Sequence, residues 1–259
     1  MKRFILKNEP DKNNIVRLEG DDYHYLVRVK RFAQGEFFPA LLPSGGETLV
    51  QVQSVDNGVL TGKCNIEVCN VVPTNELPPM FLFQALPKGE KMDLIVRQAA
   101  ETELTEIIPF VSQFSITKIK DNGQQKLSRW QRIIKEARQQ SGSATATTIT
   151  PPLTMDGLFA YWEELKTKMP GVLGLLFHHL PLAKSSLHGY LDRIPQVVVM
   201  AIGPEGGFSG LEVSRFLEAG FLPLTIGNTI LRTETAALYC AASIRIILLE
   251  KDSWMLKQA

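Results

Sequence analysis

The chain has 259 residues, of which 44% are hydrophobic and 21% are charged, and its formal net charge is +1. This composition is typical of an ordinary soluble globular protein with one large or two modest domains, and the near-neutral charge argues weakly against a uniformly basic nucleic-acid binder. Three cysteines without a CxxC pair argue against a disulfide framework and a zinc site. The apolar run at the N-terminus is too short for a secretory signal, and no apolar segment reaches the ~20 residues of a membrane helix. We therefore expect a cytoplasmic protein that binds no metal.

The first 72 residues are predicted to be mostly β. A short helix is expected from Asp21, and Pro43-Ser44-Gly45-Gly46 and Asp56-Asn57-Gly58 supply turns. The predicted strands are Arg3–Leu6, Ile15–Leu18, Phe37–Leu42, Thr48–Val55 and Val59–Val68. Strands this short and closely spaced indicate a small barrel.

A proline-rich linker is predicted at residues 73–79, because prolines this dense continue neither helix nor sheet. The periodicity then changes to strand Phe81–Ala85, helix Lys91–Glu103 and strand Glu106–Val111. Strands that alternate with helices indicate an α/β domain with a parallel sheet over residues 80–259.

The next predicted helix is RWQRIIKEARQQ, with Ser128 as its N-cap. Its apolar residues form one stripe, which would leave the basic residues Arg129, Arg132, Lys135 and Arg138 largely outward. The basic segment 118–138 would create a local positive potential that favours nucleic-acid binding, even on a protein whose net charge is near neutral.

The stretch from Val197 to Ala242 reads as strand, glycine loop, helix, strand, loop and helix. Val197–Ile202 is a continuous apolar run typical of a strand buried on both faces, and Ser209 with Glu212 forms a capping box for the helix after it. The predicted strands Val197–Ile202 and Phe221–Ile226 each end in a glycine loop, which puts both loops at the carboxyl edge of the sheet, where such folds bind ligands. The GPEGG loop is neither GxGxxG nor a phosphate-binding lysine loop, and it could also be only a tight turn.

GPEGGFS, followed at this distance by IGNTILRTETA, resembles the RsmE-type 16S ribosomal RNA (uracil-N3) methyltransferases of the SPOUT superfamily. KGEKMDLIVRQAAETELTEIIPF and RWQRIIKEARQQSGSA resemble the same family, so the match spans nearly the whole chain. The resemblance implies a knotted SPOUT-type parallel-sheet methyltransferase domain over residues 80–259, with the knot at about 197–250. It also implies that residues 1–72 form a PUA-like RNA-binding β-barrel.

The implied function is S-adenosyl-L-methionine-dependent methylation of N3 of a specific uridine in the 16S ribosomal RNA of the small subunit, by a homodimer. The residues that the resemblance assigns to the cofactor are Phe177, Gly203, Pro204, Glu205, Gly206, Gly207, Ile226, Gly227, Thr229, Ile230, Leu231 and Thr235. The residues expected to face RNA are Arg28, Lys30, Arg31, Arg129, Arg132 and Arg138. For the first three, a solvated helix face is an equally simple interpretation.

Arg232, Glu234 and Glu205 are the expected catalytic residues. Uracil N3 must lose its proton as it attacks the methyl group, so a guanidinium at a uracil carbonyl would stabilise the developing negative charge. Glu234 or Glu205 would orient the base or accept the proton. The alternative is that Arg232 and Glu234 are only a charge pair at the start of a helix, with Thr233 as its cap.

Three positions depart from the family pattern, because Gln98, Ser143 and Thr229 stand where cationic residues are common. If these positions face RNA, phosphate contacts would be weaker. The alternatives are therefore a same-fold methyltransferase with another RNA target, or a catalytically inactive RNA-binding or ribosome-assembly protein. His178-His179 could approach the cofactor or be merely exposed, and Cys240 is expected to be packing.

Overall fold

The computed structural model describes residues 3–65, 77–116, 123–179, 185–225 and 227–251. The chain divides into two compact units, one formed by Met1–Thr74 with Arg138–Ala146 and the other by Asn75–Ala137 with Thr147–Ala259. Residues 73–76 of the expected linker lie outside the described residues, so that linker stays a prediction.

The first unit is a five-stranded mixed sheet in the order β1-β3-β4-β5-β2. Its strands are Phe4–Ile5 (β1), Ile15–Glu19 (β2), Phe37–Leu41 (β3), Glu47–Asp56 (β4) and Val59–Asn65 (β5). β1 pairs with β3 in parallel and the other pairs are antiparallel, with a register shift between Val52 and Ser54 in β4. The predicted helix is present as α1 (Gly20–Tyr23), which continues as the π-helical turn His24–Val29. The end of the last predicted strand, 66–68, lies outside the described residues.

The second unit is a six-stranded parallel sheet in the order β11-β9-β10-β6-β7-β8. Its strands are Met80–Ala85 (β6), Glu106–Phe110 (β7), Thr148–Ile149 (β8), Val172–Phe177 (β9), Val197–Ile202 (β10) and Leu222–Leu224 (β11). Its helices are Lys91–Glu101 (α2), Gly123–Ser141 (α3), Met155–Lys168 (α4), Leu187–Tyr190 (α5), Gly210–Glu218 (α6) and Thr233–Lys251 (α7), and the last residues of α3 belong to the first unit. The predicted parallel sheet is confirmed.

The core of the second unit lies on both faces of the sheet, and β10 illustrates why. Every residue of β10 is buried, as its continuous apolar sequence predicts. Because side chains alternate along a strand, Val198 and Met200 pack with apolar residues of α2, α3 and α7, whereas Val199 and Ala201 pack with residues of α4 and α6. Two helical layers therefore cover the sheet and leave its carboxyl edge for the loops.

Helix starts and helix faces differ from the sequence predictions at several positions. The capping box of Ser209 and Glu212 is confirmed, but two apolar residues of α6 that a buried helix face would be expected to include, Leu211 and Leu217, are 78% and 39% exposed. Ser128 does not cap α3, which already begins at Gly123, and its hydroxyl donates to the carbonyl oxygen of Gln124 instead.

Arg138, expected to point outward on α3, is only 6% exposed. It follows the buried Ile134 by four residues and therefore shares the buried side of the helix. Burial lowers the pKa of its guanidinium.

Among the described residues, none of the helices has the length and apolar character that crossing a bilayer requires.

Candidate active site

A cavity of about 550 Å³ opens at the carboxyl ends of β9, β10 and β11. Its lining combines the loop after β10, the segment between β11 and α7, and the end of β9. The lining residues are Phe177, His178, His179, Ile202, Gly203, Pro204, Glu205, Gly206, Gly207, Phe208, Leu224, Thr225, Gly227, Asn228, Thr229, Ile230, Leu231, Thr233, Ala236 and Cys240. The two glycine loops that the sequence puts at this edge do meet at one cavity.

The loop after β10 favours glycine at two positions. A Cβ on Gly203 would lie 3.2 Å from the backbone of Gly207, and Gly207 itself has a φ of 70°. Its N–H donates to the carbonyl oxygen of Pro204 at 2.9 Å, which closes the turn. The absence of side chains at these positions lets a ligand approach the backbone directly.

The first turn of α7 is tied to this loop through Thr233, which is 4% exposed. Its hydroxyl donates to the carbonyl oxygen of Gly203 at 2.7 Å and accepts from Nε2 of Gln84 at 3.0 Å. Gln84 is fully buried at the end of β6. The hydroxyl of Thr233 therefore links the start of α7 to the loop after β10 and to β6, in place of the expected role of Thr233 as a helix cap.

Glu205 and Glu234, two of the expected catalytic residues, lie beside the same ammonium group. Nζ of Lys91 is 2.6 Å from Oε1 of Glu205 and 3.8 Å from Oε2 of Glu234. Burial alone would raise the pKa of Glu205, but the hydrogen bonds from Lys91 and from the backbone N–H of Lys88 outweigh it and lower that pKa. The alternative pairing of Glu234 with Arg232 is not formed.

Arg232, the third expected catalytic residue, is exposed immediately before α7. Its guanidinium makes no hydrogen bond or ion pair with another residue in the part of the chain that the structure describes. Its carbonyl oxygen accepts from the N–H of Ala236 and so begins the helical hydrogen bonding of α7. The guanidinium is therefore available to a ligand beside the cavity wall.

Most residues expected to bind the cofactor do line the cavity, with two exceptions. Thr235 is exposed and does not line it, because it lies two residues past Thr233 on a different side of α7. Ile226 lies outside the described residues. The sequence prediction did not include Thr233, Ala236 or Cys240 among the lining residues. Helical periodicity could have indicated them, because Ala236 lies three residues after Thr233 and Cys240 four residues after Ala236, on the same side of α7.

His178 and His179 also line the cavity, at the end of β9. Their rings stack with centroids 4.4 Å apart. Burial, and to a lesser extent the neighbouring His179, lower the pKa of His178. Both rings line the cavity, His178 half-buried and His179 exposed, and their approach to the cofactor stays a prediction.

The basic residues expected to face RNA fall into three groups. Arg28, Lys30 and Arg31 are exposed at the end of the π-helical turn in the first unit. In the second unit, a groove at the start of α3 is lined by Gln124, Gln125, Ser128, Arg129 and Arg132. Within it, Arg129 forms ion pairs with Asp93 and Glu90, and Arg132 lies 3.8 Å from Glu136. Arg138 is the buried exception described above.

The three departures from the family pattern are not equally exposed. Ser143 is 4% exposed, and Oε1 of Gln98 is buried without a hydrogen-bond partner among the described residues. Thr229 alone of the three is exposed, on the cavity wall. The condition that these positions face RNA is therefore compatible with the exposure of Thr229 alone. No cluster of His, Cys, Asp and Glu that could hold a metal occurs in the described ranges.

Comparison with known proteins gives a consistent result. A family profile described as RNA methyltransferase domain matches residues 75–245. The chain is 33% identical over 249 residues to the ribosomal RNA small subunit methyltransferase E of Synechocystis sp., covering 95% of this chain and 78% of that protein. It is 27% identical to the Bacillus subtilis protein of the same name, covering 94% and 96%. A crystal structure of a ribosomal RNA small subunit methyltransferase E from Neisseria gonorrhoeae bound to S-adenosyl methionine has a TM-score of 0.76 at 25% identity, covering 95% and 98%.

Proposed function

Since this chain belongs to the ribosomal RNA small subunit methyltransferase E family, we propose that it transfers the methyl group of S-adenosyl-L-methionine to N3 of a specific uridine in 16S ribosomal RNA. The observation that carries the proposal is the cavity where the GPEGG loop and the segment Gly227–Leu231 meet. Arg232 and two glutamates stand beside it, as a reaction that removes a proton and develops negative charge requires.

The cavity residues fit S-adenosylmethionine. A side chain on Gly203 would crowd the turn, and the backbone around it presents N–H and C=O groups that suit an adenine edge and a methionine moiety. Phe177, Gly203–Gly207 and Gly227–Leu231 would hold the cofactor. When bound, S-adenosylmethionine supplies an electrophilic methyl group on a positively charged sulfur.

The side chains of the chain itself supply positioning and electrostatics. The free guanidinium of Arg232 would bind a uracil carbonyl oxygen and stabilise the negative charge that develops as N3 loses its proton. A carboxylate at the cavity receives that proton, and the loops hold the base in line with the methyl group. The target base must be unstacked or single-stranded to enter the cavity.

We further propose the two finer features of the fold that the family resemblance implies. A knot in the region of about 197–250 is supported by the path of the chain, which leaves β10 for the edge strand β11 and then returns as α7 to pack with α2 and β10. A PUA-like barrel over residues 1–72 is supported by the closely paired short strands of the first unit and by exposed Arg28, Lys30 and Arg31.

The protein is proposed to act as a homodimer in the cytoplasm on the small ribosomal subunit or its RNA. Supporting the dimer, Tyr239 and Ile246 are 50% and 46% exposed on one side of α7, two helical turns apart. Light scattering at micromolar concentration tests it, and a monomer there contradicts it.

The experiment that tests the function uses small ribosomal subunits from a strain that lacks this enzyme. They are incubated with the purified protein and methyl-labelled cofactor, and the labelled nucleotide is then mapped by reverse transcription, which a methyl group on N3 blocks because N3 is a base-pairing position. We expect one labelled uridine in 16S ribosomal RNA. Unlabelled subunits would contradict the proposal.

A second candidate, a same-fold methyltransferase with another RNA target, is favoured by Thr229, which lacks a cationic group at an exposed position of the cavity wall. A methyl group mapped outside 16S ribosomal RNA would support it. An inactive RNA-binding protein, the third alternative, would bind no cofactor.

A further inference from the structure

The loop after β7 carries an exposed aromatic side chain next to the cavity. Phe114 is 46% exposed, and a Cβ added to Gly206 would lie 3.0 Å from the Cβ of Phe114. Gly206 lines the cavity, whereas Phe114 does not. Phe114 therefore packs against the glycine loop from outside the cavity and leaves a large part of its own surface exposed.

The backbone that carries Phe114 is anchored by hydrogen bonds. The N–H of Ser115 donates to the carbonyl oxygen of Ser112 at 3.0 Å, and the hydroxyl of Ser115 accepts from the N–H of Ser112 at 3.2 Å, so Phe114 is the third residue of a closed turn. The N–H of Gln113 donates to Oε1 of the buried Glu212 at 2.8 Å, and the other oxygen of that carboxylate belongs to the capping box of α6. One buried glutamate thus fixes the turn against the start of α6.

An exposed ring on a fixed backbone suits a base of a single-stranded RNA. Unpaired bases stack on exposed aromatic side chains, and a backbone that is already ordered lowers the cost of binding. The proposed reaction needs an unstacked uridine, and the bases next to it on the strand then also lose a stacking partner. Because Phe114 lies outside the cavity, it suits one of those neighbouring bases, and the methylated base itself enters the cavity.

Charged groups near the glycine loop favour RNA over a second apolar surface as the occupant. Arg129, in the groove at the start of α3, forms an ion pair with Glu90. The next residue, Lys91, forms an ion pair with Glu205, which directly precedes Gly206. The basic groove and Phe114 are therefore both connected to the glycine loop, and single-stranded nucleic acid is bound by this combination of cationic groups and an aromatic ring.

We propose that Phe114 is a base-stacking residue for the RNA substrate, which stacks on a base next to the target uridine and so positions the strand over the cavity. The inference rests on the proposed function. Phe114 takes no part in the chemical step and does not hold the cofactor. Because every base has a flat face, stacking on Phe114 contributes to affinity and positioning more than to the choice of sequence.

The first test measures the affinity of the same variants for small ribosomal subunits and for S-adenosylhomocysteine. We expect Phe114→Ala to weaken subunit binding roughly 5- to 150-fold, the usual range for the loss of one base–aromatic stack, with S-adenosylhomocysteine affinity within about twofold of the wild type. Phe114→Trp should keep the subunit affinity, and Phe114→Leu, which is apolar but has no ring, should not. Ile194→Ala is the matched control, because Ile194 is 50% exposed and precedes β10 at the opposite edge of the sheet.

The second test uses tryptophan fluorescence, with a single-stranded oligouridylate as the probe. Stacking on a base quenches the emission of an indole ring, so the oligouridylate should quench Phe114→Trp more strongly than the wild type, which has three tryptophans of its own. Ile194→Trp should show no additional quenching. The loss of RNA affinity in Phe114→Ala should also be about equal at low and high salt, because a stacked ring releases no counterions.

Each outcome supports the inference or overturns it. Unchanged subunit affinity in Phe114→Ala, or equal quenching of Phe114→Trp and Ile194→Trp, overturns it. A loss of S-adenosylhomocysteine affinity in Phe114→Ala would show that the ring only supports the glycine loop, and a changed oligomeric state by light scattering would show that a second copy covers it; either result overturns the inference. A wild type that binds RNA but methylates no uridine overturns the proposed function, and the stacking measurements still decide the role of Phe114.

Discussion

The hydroxyl of Thr233 donates a hydrogen bond of 2.7 Å to the carbonyl oxygen of Gly203, which fastens the start of α7 to the glycine loop after β10. The two residues are 30 positions apart in the sequence. Gln84, at the end of β6, donates to the same hydroxyl. One side chain thus holds together the two segments that would enclose the cofactor.

Replacing Thr233 by Val removes this hydroxyl while keeping the branched shape. The buried amide of Gln84 and the carbonyl group of Gly203 then lose a partner, so the free energy of unfolding should fall by about 1–3 kcal/mol. S-adenosylhomocysteine should bind roughly tenfold more weakly, which equals about 1.4 kcal/mol. Urea unfolding and calorimetry measure the two effects. Thr233→Ser keeps the hydroxyl and is the control, and wild-type affinity in Thr233→Val would rule out this role.

Arg232→Ala should abolish methyl transfer and leave cofactor binding largely intact. The guanidinium makes no hydrogen bond or ion pair among the described residues, so its loss should not disturb the cavity, whereas the developing charge on uracil loses its donor. We expect the rate to fall by at least about 10²-fold, as for loss of one donor to a developing oxyanion. Arg232→Lys keeps the positive charge but removes the planar guanidinium group, so it tests whether methyl transfer needs the geometry of that group or only its charge. A collapse of S-adenosylhomocysteine affinity in Arg232→Ala would show that the assigned role is wrong.

Gly174→Ala should destabilise the second unit. A Cβ at this position of β9 would lie 2.9 Å from the ring of Phe221 and 3.0 Å from that of Trp162, and these rings are themselves packed with centroids 4.4 Å apart. Overpacking of this kind lowers the free energy of unfolding by about 1–3 kcal/mol. Gly157→Ala, in the first turn of α4, meets nothing closer than 3.4 Å and should be neutral or slightly stabilising. Equal urea midpoints for the two variants would contradict the packing argument.

The pH dependence of stability should carry a contribution from His178. Its pKa in the folded state is lowered from the usual value of 6.5, mainly by burial, so the unfolded chain binds a proton more readily. The stability that neutral His178 contributes is therefore fully present above pH 6.5 and is lost as the pH falls below 6.5 toward the lowered folded pKa. His178→Asn should weaken this loss in urea titrations from pH 7.5 down to pH 5, whereas His188→Asn, at an exposed position of α5, should not. A wild-type curve in His178→Asn would contradict the prediction.

Features that depend on neighbours in the sequence were predictable. The apolar run Val197–Ile202 became β10 with those bounds, and the capping box of Ser209 and Glu212 begins α6. These signals are local, because burial on both faces demands a continuous apolar run and capping needs a donor and acceptor three residues apart. The cavity followed from the same logic, since parallel strands bring their carboxyl ends to one edge.

The tertiary structure decided which side chains meet across the fold. Lys91 reaches Glu205 and Glu234, which are 114 and 143 positions away, and no pattern in the sequence pairs residues at such distances. Burial of Arg138 and exposure of Leu211 likewise depend on what packs against each helix, which residue type and periodicity do not specify. The sequence by itself thus determined the elements, the glycine loops and the family, while packing assigned different surroundings to two chemically identical carboxylates.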